Sequence, residues 1–294
     1  MGLRANPTYR QRRFGAEVRA IRESGGLTAG EAAAAMGMYA SHISSVESGR
    51  TSLSPERLRA LAAASGCKDT TYLDGLVELG QASGKGWWSQ YRDPLRPSLR
   101  DLAELEDGAC DIVCYEPMFV PGLLQTEAYA TAGYRGGYTG ASRSEQDREV
   151  EFRMRRQAVL TGENAPRLHA VIHEAALHMS FGDPAIRRGQ LIRLLEAAEL
   201  PKVTIQVLPF EGAVAFGTSF TVLRPPVRKL STAIVAHIER SLYLGDGDSL
   251  ARYDNWFARL CEVALPPANR DLRHDSYAVK DSRGLIQRLL YPLL

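Results

Sequence analysis

Through the first eighty residues the apolar positions recur with a helical period. Phe14, Val18 and Ile21 fall on one face, with Arg12, Arg19 and Arg22 between them, and predict a first amphipathic helix whose arginines point outward. A second helix is expected from Ala29: Thr28 can cap it, and Glu31, three residues on, can reach back to the free amides of the first turn. Its body, 32–35, is all alanine, which lets a neighbouring helix cross closely, and Gly37 supplies the backbone freedom for a sharp turn. A third helix over 40–48 turns Ile43 and Val46 inward and leaves Ser41, His42, Ser44 and Ser45 on other faces. Gly49 ends it as a left-handed residue, followed by Arg50 and Thr51. Segments 55–64 and 70–81 read as two further helices that complete this module.

After the break at 82–86, Ala-Ser-Gly-Lys-Gly, helices and strands alternate. Helices are expected at 99–106, 127–133, 184–199 (Leu191, Leu194 and Leu195 inward) and 249–264, the last carrying Tyr253, Trp256, Phe257, Leu260 and Val263. Strands are expected at 109–116, 168–173, 202–208 (Val203, Ile205 and Val207 alternating), 219–223 and 233–239. This order predicts a mixed α/β sheet flanked by helices. A short C-terminal helix, 282–290, is capped by Asp281 or Ser282 and runs into the tail Leu-Leu-Tyr-Pro-Leu-Leu, apolar enough to be covered by its own domain or by a partner subunit. The expected organisation is thus 1–83, a linker at 84–98, and 99–294. Trp87, Trp88 and Tyr91 in the linker form either an exposed binding patch or, more commonly, an anchor onto the next domain.

With 294 residues, 45% of them hydrophobic, the chain is too long for one small module and rich enough for a second core. Net charge is +2, but it is unevenly spread: residues 1–68 hold ten Lys and Arg against five Glu, while the remainder is net acidic. The local excess, including the run Tyr9 to Arg13, suits a phosphate-binding surface. Cys67, Cys110, Cys114 and Cys261 match no zinc or redox spacing and are read as reduced core residues. No apolar run approaches a membrane span or a signal core, so a cytoplasmic protein with no membrane partner is expected.

Two short helices joined by a glycine turn, with small polar residues opening the second, are the architecture of a DNA reader. The stretch GLTAGEAAAAMGMYASHISSVESGRTSLSPERLRALAAA resembles the five-helix, phage-repressor-like domain of the XRE regulators, through Gly26-Leu27-Thr28, Ala35, Gly37, Ile43-Ser44, Glu47 and Gly49-Arg50. The resemblance implies that the third helix enters the major groove, with Ser41 and Ser45 near base edges and Ala40 near a thymine methyl. The DNA-binding set is therefore Thr28, Ala40, Ser41, His42, Ser44, Ser45, Arg50 and Thr51, His42 being equally a phosphate ligand or a solvent-facing residue. Glu47 reads as a structural brace, since a carboxylate facing phosphates would repel them. Long amide side chains common at the start of this helix are replaced by alanine and serines, which leaves part of the specificity to water or DNA shape.

A second resemblance rests on Trp87-Trp88, VPGLLQT at 120–126, RMRRQAVL at 153–160, His173 to Leu177 and VTIQVLPF at 203–210. These are similar to the effector-type domain behind XRE modules in actinobacterial, antitoxin-like transcriptional regulators, which implies transcriptional control, often alongside a small cognate partner protein. No constellation for catalysis, metal or cofactor is present, and no enzyme activity is expected. His173 and Glu174 read as a strand-end pair satisfying loop amides. Because strand ends converge on a crevice, Glu174, Pro209, Phe210 and Glu239 are candidates to line a small-molecule or peptide effector pocket. One short helix buries too little groove for tight binding, so a homodimer on two half-sites is expected, with dimerisation in the C-terminal domain. Two further readings remain open: an antitoxin-like protein whose main act is partner binding, and a DNA-targeted enzyme.

Overall fold

Five α-helices make up most of the first unit in the computed structural model, which describes residues 5–91, 95–137, 140–211, 217–237, 241–268 and 280–294. They are α1 (Tyr9–Ser24), α2 (Ala29–Ala35), α3 (Ala40–Glu47), α4 (Pro55–Ala64) and α5 (Thr70–Gln81). The expected inward residues Phe14, Val18, Ile21, Ile43 and Val46 join Leu58, Leu61 and Leu76 in one core. Side-chain caps fix where the helices begin: Thr8 and Thr28 in capping boxes, Ser54 ahead of Pro55, and Asp69 on Tyr72.

Chain contacts divide the molecule into Met1–Leu105 with Pro225–Ser231, and Glu106–Arg224 with Thr232–Leu294. The first unit therefore runs through the segment expected as a linker and into α6 (Pro97–Asp107), for a reason visible in the ion pairs. Arg10 Nε lies 2.6 Å from Glu104 and Arg12 3.7 Å from Asp101. Trp88 and Tyr91 of the aromatic cluster are buried. From the segment 225–231, Leu230 enters the same core as Phe14 and Leu76, and Val227 packs against it. Gly75 admits this segment: a Cβ there would lie 2.5 Å from Val227 Cγ2.

The second unit is a mixed six-stranded sheet, in the order β3-β2-β1-β4-β5-β6, with helices. The strands are β1 (Asp111–Glu116), β2 (Arg167–His173), β3 (Val203–Leu208), β4 (Phe220–Arg224), β5 (Thr232–Val235) and β6 (Leu242–Leu244). β1 pairs in parallel with β2, and β2 with β3; β1 pairs antiparallel with β4, and β4, β5 and β6 continue antiparallel. The helices are α7 (Glu127–Gly136), α8 (Arg143–Arg156), α9 (Pro184–Ala197), α10 (Gly247–Val263) and α11 (Ser282–Leu290). Phe257 and Leu260 of α10 pack on Val113, Tyr115, Val171, Phe220 and Val222 of the sheet. The parallel strands are buried almost throughout, as expected of a sheet covered on both faces.

Several details depart from expectation. α8 follows no apolar period that a sequence reading would find: it is mostly charged, and it is opened by a Ser142 capping box. β6 is only three residues long. The strand expected at 233–239 ends at Val235 among the described residues, and Glu239 lies outside them. Leu195 is half-buried, and Cys110 is exposed where a core position was expected. In the C-terminal tail Leu290 is buried and Leu289 and Leu293 are half-buried, whereas Tyr291 and Leu294 are each 79% exposed, so its own domain covers the tail only in part. Among the described residues no helix is long and apolar enough to cross a membrane.

Candidate nucleic-acid interface

The turn between α2 and α3 is built from backbone rather than side chains. Ala32 and Ala33 are buried, Gly37 adopts φ +60°, and the Met38 amide returns to the Ala33 carbonyl at 2.9 Å. Thr28 Oγ1 accepts from the Glu31 amide at 3.2 Å and donates to Glu31 Oε2 at 2.7 Å, so its hydroxyl is engaged in the capping box. Those bonds from Thr28 hold the exposed Glu31 carboxyl below its usual range.

α3 is fixed from behind. A Cβ on Gly15 would lie 2.5 Å from the Glu47 carbonyl oxygen, so α1 and α3 cross at backbone contact. Arg22, expected to face outward, instead donates through Nε to Glu47 Oε1 at 2.5 Å and through Nη2 to Oε2 at 3.2 Å. Its Nη1 holds the Leu27 carbonyl at 3.0 Å. Glu47 is thus the brace the sequence suggested, and its charge is spent inside the module. At the other end Gly49, at φ +74°, carries the chain against α1. The Arg50 and Thr51 amides then both return to the Ser45 carbonyl, at 2.9 and 3.1 Å.

What α3 leaves in solvent is Ala40, Ser41, His42 and Ser44, with Arg50 just beyond; Ser45 and Thr51 are half-buried. The basic run Tyr9 to Arg13 distributes differently from expectation. Arg10 and Arg13 are buried, Arg13 donating to the Lys229 carbonyl and pairing with Glu17 at 2.8 Å. Arg12 is exposed, donating to the Pro7 carbonyl at 2.5 Å. One feature that sequence reading passed over is Tyr39, which precedes α3, is 77% exposed, and meets His42 edge to face at 5.9 Å.

Residues 13–72, which contain α2, α3, the turn between them and the Arg22–Glu47 pair, match a helix-turn-helix domain, and residues 99–269 match the domain of unknown function DUF5753, more than half of the chain. The chain belongs to the DUF5753 family. No curated protein and no solved structure matches it. The helix-turn-helix match makes the first unit a DNA-binding module of the kind used in transcription regulation, and makes DNA its partner.

Within the DUF5753 region, the strand ends bring Glu174 and Phe210 together: Glu174 Oε2 accepts from the Phe210 amide at 3.0 Å. His173 Nδ1 accepts from the Ala175 amide at 3.1 Å, and the His173 and Phe210 rings meet at 5.2 Å. Pro209 joins them in sequence. Burial holds the His173 ring below its usual pKa.

The VPGLLQT motif has a clear structural role. Gln125 Nε2 donates to the Val120 carbonyl at 2.7 Å, and its Oε1 accepts from Arg153 Nη1 at 2.7 Å. Arg153 also reaches the Tyr134 hydroxyl at 2.8 Å, while its Nε is buried without a partner. Beside it, Arg156 holds Glu106 through two bonds of 2.8 and 2.5 Å, both side chains buried. Glu116, at the end of β1, has its carboxyl pushed up to about 8 by burial, which the nearby Arg153 only partly opposes.

Proposed function

We propose that the protein is a sequence-specific transcriptional regulator of XRE type that inserts α3 in the major groove, the DUF5753 domain serving dimerisation and the sensing of a ligand or partner protein. The observation that carries this reading is the presentation of α3. It is gripped from behind by Arg22 and by the Gly15 contact, and it turns a face of short polar side chains outward beside the exposed Arg50. Short side chains let the helix approach base edges closely, and Arg50 supplies a phosphate contact. Working on DNA would place the protein in the cytoplasm. In the second domain, His173 and Glu174 hold backbone amides, which favours a binding role over a catalytic one for that pair.

The test is fluorescence anisotropy on the protein's own promoter and on a scrambled duplex across a salt series, with sedimentation of the same samples. A promoter preference of about a thousandfold with two protomers bound is the expected result. Equal, weak binding to both duplexes would remove the regulator reading. The antitoxin-like reading draws on Phe119 and Phe210 of the second domain, 46% and 57% exposed, as apolar surface a small cognate protein could cover. Its expected signature is a small protein that co-purifies with the full chain and is lost when Phe210→Ser is introduced.

A further inference from the structure

Ten α-helices have a described N-cap, and nine of those caps are Ser, Thr or Asp side chains that accept a backbone amide of the first turn. The exception is α3, where the position is Tyr39 and no side-chain cap is made. Among those ten, the helix without this stabilisation is the one proposed to read DNA, and the residue in the capping position is a large, mostly solvated aromatic. The ring is also oriented: it stands 88° to His42, one turn into the helix, with centroids 5.9 Å apart. Besides the ring and His42, the solvent face of α3 offers Ala40, Ser41 and Ser44, none of which reaches far.

Resting on the regulator reading above, we infer that Tyr39 is a specificity residue, packing its ring on a thymine methyl where α3 enters the groove. The base edge it takes is apolar, because the ring and the neighbouring Ala40 methyl together form the only sizeable apolar surface that α3 and its cap offer to solvent among the described residues. The C5-methyl of thymine is the apolar group the major groove displays. His42 acts as the positioning residue, holding the ring edge-on so that little freedom is lost on binding.

The experiment compares wild type, Tyr39→Ser and Tyr39→Phe on promoter and scrambled duplexes at fixed salt, together with the melting temperature of each free protein. Serine supplies the missing cap, so Tyr39→Ser should melt higher than wild type while binding the promoter about tenfold more weakly and the scrambled duplex within about twofold. Tyr39→Phe keeps the ring and should retain promoter affinity. Replacing promoter thymines one at a time with uracil deletes the methyl: one replacement per half-site should weaken wild type about three- to tenfold and add nothing to Tyr39→Ser. Loss of affinity equal on both duplexes would mean that the ring rests on the sugar-phosphate backbone, and would overturn the assignment. So would a uracil penalty undiminished in Tyr39→Ser, or a Tyr39→Ser protein that binds both duplexes as wild type does. A wild type that does not distinguish the duplexes fails the regulator reading itself, and the Tyr39 assignment falls with it.

Discussion

Arg22 of α1 and Glu47 of α3 form a two-bond ion pair, 2.5 and 3.2 Å long, in which each side chain is 14% exposed. Removing one member strands the other in a site that water reaches poorly, which costs more than an exposed pair is worth. Arg22→Ala should destabilise the first unit by about 2 kcal/mol, less than for a fully buried pair because solvent still screens part of the charge. The double variant Arg22→Leu/Glu47→Leu should recover part of that loss, since no charge is left unpaired. Denaturant melts of the three proteins decide it; a double variant no better than Arg22→Ala would show that the pair's geometry, not its charge, holds α3.

Gly37 and Gly49 both sit in the left-handed region, at φ +60° and +74°, yet alanine should affect them unequally. Nothing lies within 4 Å of a Cβ at Gly37, so the substitution meets only backbone strain, about 1 kcal/mol. At Gly49 the Cβ would fall 2.6 Å from the Gln11 carbonyl oxygen, which cannot yield without moving α1. Gly49→Ala should therefore cost about 3 kcal/mol or more and loosen Arg50 as well. Equal melting temperatures for the two variants would refute the distinction.

Both glycines, the Thr28 cap and the inward faces of α1 and α3 were legible because each is a local device with a sequence signature. Arg22 was misread because helical spacing places it beside Arg19 on the polar face, whereas its partner Glu47 is distant in sequence. The same separation hid the burial of Arg10, whose carboxylate is on Glu104, and of Arg156, paired with Glu106. Tyr39 was passed over because a tyrosine in a capping position carries no capping signal. α8 was missed because its packing rests on few apolar residues, Val150 and Phe152, within a charged sequence. In the second domain the period of two marked where most strands lie, but neither their order nor the pairing of β1 with β4 is encoded locally.

Arg50 and Ser41 should separate affinity from specificity. Both are exposed; on the proposed docking of α3, the guanidinium beyond the helix end would meet phosphate and the hydroxyl on its second residue would face base edges. Arg50→Ala should weaken promoter and scrambled duplexes alike and reduce the salt slope by about one. Ser41→Ala should lower only the promoter preference, by about 1 kcal/mol, and Ser45→Ala by less, since Ser45 is half-buried. Anisotropy over a salt series on both duplexes tests this, and matching effects of Arg50→Ala and Ser41→Ala on the scrambled duplex would refute the assignment.

Glu116 gives the second domain a pH dependence whose sign follows from its environment. Its folded pKa of about 8 stands above the ordinary 4.5 because burial disfavours the carboxylate. The folded chain then holds a proton that the unfolded chain has released between those two values. The stability contributed by the neutral acid is complete below about 4.5 and is lost as pH rises through about 8. Glu116→Gln is neutral at every pH and keeps the shape, so it should match wild type near pH 5 and exceed it near pH 9 by about 1–2 kcal/mol, a figure discounted because the residue as a whole keeps some solvent exposure. Urea midpoints of the two proteins across that range provide the measurement. Curves that stay parallel would mean that Arg153, whose Nε lacks another partner, already neutralises the carboxylate in the folded state.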